Sequence, residues 1–177
     1  MKKFLYLFFV LSFLNGTAQN LQQNNSIIPA PNFYKLTGDS IRINGKVQVN
    51  FKNKNYSEKE LKSAKILESA LNAKANAKKS NLKIEFDSSK NLSSKEGYEI
   101  EITSNKITIT GQEEGLFYAV QSLLQLLPNK IVTEIKLPCV IIEDQPRYSY
   151  RGLHLDVCRH FFSVDVIKDF ITQMASY

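Results

Sequence analysis

The chain contains no tryptophan, two cysteines, two histidines and two methionines among its 177 residues. Each shortage narrows the chemistry available. Both histidines fall within 154–160, so no second cluster of imidazole ligands exists elsewhere. Cys139 and Cys158 allow one disulfide at most, and two free thiols in apolar, strand-like contexts are an equally open reading. No basic block interleaved with aromatics occurs, which speaks against nucleic acid binding. The scattered lysines are sufficiently explained by solubility. Past residue 14 no long hydrophobic run follows, so no stable membrane span is expected once the first residues are removed. There is no internal repeat.

Those first residues have a character of their own. Lys2 and Lys3 precede an apolar run over 4–14, and small residues lie within "NGTA" before Gln19. A positive start, a short apolar core and a small-residue cleavage site make a secretory signal peptide over 1–18. Its removal lowers the formal charge of +6 by two. The protein is therefore expected to be exported, periplasmic or secreted. Residues 19–26, amide-rich and polar, are expected to form a short mobile leader.

From "IIPAPNFYKL" onward the pattern is that of a folded domain over 27–144. In "SIRINGKVQVNF", apolar residues alternate at Ile41 and Ile43 and again at Val47, Val49 and Phe51. Asn44-Gly45 between them predicts a hairpin. Ser57 with Glu60 three residues on is a capping box. Leu61, Ala64, Leu67, Ala70 and Leu71 then keep helical spacing. "NLKIEF" reads as a strand, and "YEIEITSNKITIT" as two strands about Ser104-Asn105 with one wet face. "EEGLFYAVQSLLQLLP" is a helix with Leu116, Ala119, Val120, Leu123, Leu124 and Leu127 on its apolar face, stopped by Pro128. "KLPCVIIED" is the last strand. The expected class is α+β, an antiparallel sheet with two helices.

Asp144-Gln-Pro-Arg147 reads as a junction, after which the pattern changes to a strand over 151–157, a loop and a helix capped by Ser163. That helix carries Val164, Ile167, Phe170, Ile171 and Met174 on one face. A strand followed by a helix is the first unit of a βα repeat. A closed barrel needs roughly 250 residues, so the chain is expected to hold only the beginning of a second domain.

Within "RGLHLDVCRHFF" one side of the expected strand holds His154, Asp156, Cys158 and His160, a row of metal-ligand types. At strand rise their Cα atoms stand roughly 6.6 Å apart, and four in a row cannot converge on one ion without a bend. The other side ends in Arg159, above Leu153, Leu155 and Val157 as core layers. At the carboxyl end of a barrel strand, Arg159 would offer a rigid fork to paired acceptors such as sugar hydroxyls. Pairing with a local acid, Asp156 or Asp165, is an equal alternative.

The stretch "DQPRYSYRGLHLDVCRHFFSVDVIKDFITQMASY" resembles the opening of the catalytic barrel of β-N-acetylhexosaminidases, family 20 of the glycoside hydrolases. The shared features are an Asp-x-Pro-Arg-aromatic junction, Arg-Gly-x-x-x-Asp, and Ser-Arg-His-Phe with Cys158 in place of the serine. "GLFYAVQSLLQLLP" and "IIPAPNFYKL" resemble parts of the domain that precedes that barrel. The resemblance implies an incomplete (β/α)8 barrel over 145–177 and a substrate class of N-acetylhexosamine-terminated glycans or chitooligosaccharides. It implies retaining hydrolysis assisted by the substrate's own acetamido group, an exception to the two-carboxylate scheme, and no cofactor. Arg159 matches the arginine that binds hydroxyls of the terminal sugar, and Asp156 and His160 match supporting positions. The Asp-Glu pair that orients the acetamido group and supplies the general acid is absent from these 177 residues, as are pocket tryptophans. The chain alone is therefore expected to be inactive. A non-catalytic exported module that binds glycan or protein is the alternative.

Overall fold

The computed structural model describes residues 26–74 and 82–177. The expected signal peptide and all but the last residue of the leader lie outside the described residues. Among the described residues six strands form one sheet: β1 (Phe33–Ile43), β2 (Val49–Phe51), β3 (Lys83–Asp87), β4 (Tyr98–Ile102), β5 (Lys106–Gly111) and β6 (Ile135–Asp144). Among the described residues three helices accompany it: α1 (Glu58–Lys74), α2 (Glu113–Gln125) and α3 (Val164–Ala175). The spatial order is β1-β6-β4-β5-β3-β2.

The sheet is mixed, which corrects the antiparallel expectation. β1, β6, β4 and β5 pair antiparallel, whereas β5, β3 and β2 run parallel. Placing α1 between β2 and β3 supplies the long crossover that parallel pairing requires. The strand-helix-strand order was present in the sequence, and the Asn-Gly signal masked it.

Asn44-Gly45 does not make a hairpin. β1 and β2 occupy opposite edges of the sheet. A two-residue turn of that kind needs left-handed backbone, and no described residue has a positive φ. Side chains of α1 instead serve the backbone that a hairpin partner would have paired. Asn72 Oδ1 accepts from Val47 N at 2.9 Å, and Glu68 Oε1 accepts from Val49 N at 2.7 Å.

The capping box forms as read. Ser57 N donates to Glu60 Oε2 at 2.9 Å, and Glu60 N donates to Ser57 Oγ at 3.2 Å. α1 and α2 pack on each other and on the sheet, enclosing one apolar core. Ile84, Ile100, Ile102, Ile107 and Ile109 from the strands meet Leu67, Leu71, Leu116, Val120 and Leu123 from the helices. Each such side chain contributes about 1.5–3 kcal/mol by leaving water. Glu101, alternating with these isoleucines, is exposed, and Lys106 pairs with Glu85 across the wet face at 2.7 Å. In β6, Pro138 lies where the register with β1 shifts between Leu36 and Ser40, so its missing N–H falls at an irregularity in the ladder.

Residues 148–163 contain no strand, which corrects the expectation for 151–157. Leu153 is 68% exposed and Val157 57%, so neither forms a core layer. Among the described residues no strand lies beside them, and an unpaired strand leaves its backbone groups to water. α3 forms where it was read, with Ser163 Oγ accepting from Val166 N at 3.4 Å. None of its residues is buried.

Candidate functional site

Arg159 lies on the irregular segment between β6 and α3 with its side chain 84% exposed. Its Nη1 donates to Asp156 Oδ2 at 2.9 Å, while Asp156 Oδ1 accepts from Cys158 N at 2.9 Å. Asp156 thus uses one oxygen to shape the turn and the other to hold the guanidinium. Of the two readings of Arg159, the pairing with a local acid is the one seen here, and the rest of its planar fork has no hydrogen-bond partner among the described residues. Such a fork can still take two acceptors side by side. His154 and His160 are exposed nearby. Among the described residues no three His, Cys, Asp or Glu side chains are grouped to hold a metal ion. Cys158 is an exposed free thiol and Cys139 a buried one, so no disulfide joins them.

The segment that carries Arg159 is anchored behind it. Arg151 Nη2 donates to Glu96 Oε1 at 2.6 Å and to Tyr118 Oη at 3.2 Å. Its Nη1 donates to the Tyr148 carbonyl at 2.5 Å, and the guanidinium lies 5.7 Å from the centre of the Tyr118 ring. The Arg151 guanidinium holds the Glu96 carboxyl below the usual range, with a further hydrogen bond from Tyr118. Two glycines bring Glu96 to the start of α2. A Cβ on Gly115 would come within 2.1 Å of the Gly97 carbonyl, so this approach of loop and helix excludes any side chain at 115.

The Asp-Gln-Pro-Arg junction is fastened in the same way. Asp144 Oδ1 accepts from Asn32 N at 3.1 Å, and Asp144 Oδ2 accepts from Tyr98 Oη at 3.3 Å. Tyr98 Oη lies 2.6 Å from Ser122 Oγ, and burial pushes the Tyr98 phenol up. A cleft of about 400 Å³ opens between these groups, with Tyr98, Tyr118, Ser122, Asp144 and Arg151 in its wall.

The sequence reading singled out Arg159, Asp156 and His160. The structure joins the first two directly and records no hydrogen bond or ion pair for His160. Glu96 and Tyr118 were not foreseen from the sequence, and Arg151 was marked only as the start of the Arg-Gly-x-x-x-Asp motif, with no role. Gly115, an internal glycine in an otherwise strong helical pattern, was the available signal for a close approach there. No helix among the described residues is long and apolar enough to cross a membrane.

Comparison with known proteins bears on both parts of the chain. Residues 24–145 match the model of glycosyl hydrolase family 20, domain 2, and residues 148–177 match that of the family's catalytic domain. A β-hexosaminidase of Porphyromonas gingivalis is 43% identical over 89 residues, covering 46% of this chain and 12% of that protein. A family 20 β-N-acetylhexosaminidase from Streptomyces coelicolor A3(2) superposes with a TM-score of 0.74 at 30% identity, covering 86% of this chain and 33% of that one. The exo-β-N-acetylglucosaminidase of Vibrio harveyi, solved with N-acetylglucosamine, gives a TM-score of 0.71 at 27% identity, over 86% of this chain and 24% of that one. The chain thus spans about an eighth of the first of these relatives and a quarter to a third of the two structures. The folded domain and the segment that follows it match consecutive parts of one enzyme family, and the chain belongs to glycosyl hydrolase family 20.

Proposed function

We propose that this chain is the amino-terminal part of an exported β-N-acetylhexosaminidase. The enzyme removes terminal N-acetylglucosamine or N-acetylgalactosamine from glycans or chitooligosaccharides with retention, assisted by the substrate's acetamido oxygen. The observation that carries the reading is the catalytic-domain match over 148–177, the stretch that contains Arg159. In this role Arg159 binds sugar hydroxyls through its fork, Asp156 presets the fork, and His160 supports the turn. The Asp-Glu pair is supplied from outside these 177 residues. Domain boundaries at 144 and 145 and a signal peptide over 1–18 complete the proposal.

The test uses p-nitrophenyl N-acetyl-β-glucosaminide. The complete enzyme releases p-nitrophenol, and the 177-residue chain releases none. In the complete enzyme Arg159→Lys keeps the charge and loses the fork, lowering kcat/KM by about ten- to a hundredfold, the size of a charged hydrogen bond. Unchanged kinetics in that variant contradict the role of Arg159. An inactive complete enzyme contradicts the activity, and turnover by the 177-residue chain contradicts the need for a further general acid. Retention of residues 1–18 in the exported protein, read from its mass, contradicts the signal peptide.

A further inference from the structure

α2 has a second stripe besides its apolar face. Tyr118, Ser122 and Gln125 follow one another at spacings of four and three, so they line one side of the helix. At one end Tyr118, with Glu96 beside it, holds Arg151. At the other end both the oxygen and the NH2 of the Gln125 amide are engaged. Its Oε1 accepts from Ile28 N at 2.7 Å, and its Nε2 donates to the carbonyls of Ile28 and Ser176, each at 2.9 Å. Ser176 is the residue that caps the carboxyl end of α3. The stripe therefore grips the segment 151–176 by both its ends, and Arg159 lies between the grips.

The grip matters because the segment has little else to order it. α3 has twelve residues and buries none of them. A helix of that length is marginal in water without tertiary support. Hydrogen bonds to a charged partner and an amide making three hydrogen bonds are the kind of contact that can supply it.

We propose that Glu96 and Gln125 are positioning residues which, with Tyr118, form a two-point seat for the segment 151–176 and so fix Arg159 and α3 on the amino-terminal domain. The seat stands on the geometry alone; its bearing on sugar binding rests on the function proposed above.

Hydrogen exchange read by mass spectrometry on the full 177-residue chain tests the seat without requiring activity. Glu96→Gln removes the charge that holds Arg151, and Gln125→Glu removes both donors of the amide. Each is expected to speed exchange of the α3 amides about tenfold, the weight of the one charge-assisted bond lost at Glu96 or of the two neutral amide bonds lost at Gln125. Amides of β4 and β5 should be unchanged, as should every amide in the control Glu101→Gln on the wet face. Unaltered α3 exchange in both seat variants overturns the proposal, and so does equal loosening of β4 and β5. In the complete enzyme, Glu96→Gln should raise KM with kcat near wild type, and Glu96→Asp should restore part of the loss. Faster exchange with an unmoved KM overturns the positioning role. If the wild-type enzyme has no N-acetylhexosaminidase activity, the proposed function falls and the exchange result still decides the seat.

Discussion

Two stretches of this chain carry the same alternation and meet different fates. Tyr98, Ile100 and Ile102 alternate with polar residues, and so do Leu153, Leu155 and Val157. The first set is buried on β4, between β5 and β6. In the second set Leu153 and Val157 stand exposed on a segment without strand pairing, and Leu155 is half-buried. Alternation states which face a strand would bury. Flanking strands decide whether there is a strand at all, because the ladder must satisfy its backbone groups. The amino-terminal domain contains its own partners, and the segment 148–177 is held by side-chain contacts to Glu96 and α2.

Core truncation should expose that difference most strongly. Ile100→Ala removes a fully buried side chain from the sheet and should cost about 2–5 kcal/mol in urea unfolding. Leu153→Ala acts on a side chain 68% exposed and should stay within about 0.5 kcal/mol of wild type. A Leu153→Ala cost as large as that of Ile100→Ala would erase the contrast.

A smaller effect comes from pH. Arg151 holds Glu96 below the ordinary carboxylate value, while desolvation and, more weakly, Glu114 act in the opposite direction. A folded-state value below the unfolded one makes the contribution of Glu96 complete above about pH 4.3 and lost as pH falls through the lower folded value. Arg151 stays charged throughout, its own value raised chiefly by the Glu96 hydrogen bond. Protection factors of α3 should therefore hold down to the ordinary carboxylate range and fall below it, with those of β4 and β5 falling less. Glu96→Gln should flatten this dependence.

Much of the domain was legible in the sequence. The periodicity of 58–74 and 113–125, the capping box, Ser163 and the paired strands about Ser104-Asn105 were read from local rules that the tertiary structure leaves intact. The hairpin at Asn44-Gly45 was not, because Asn72 and Glu68 of α1, more than fifteen residues away, supply the pairing instead. At the candidate site, the pairing of Arg159 with Asp156 was legible because the two lie three residues apart. Glu96 lies in no quoted motif, and Tyr118 and Gln125 lie in a family-like stretch that gives them no role of their own. Their meaning comes from what the fold places opposite them, and Tyr118 and Gln125 read in sequence only as the polar side of an amphipathic helix.

Hydrogen exchange across the wild-type 177-residue chain at neutral pH tests the contrast most directly. The account predicts the slowest exchange in β4, β5 and β6, near-unprotected amides over 151–162, and intermediate protection in α3. Protection over 151–162 equal to that of β4 would contradict it, since those residues would then belong to a formed strand.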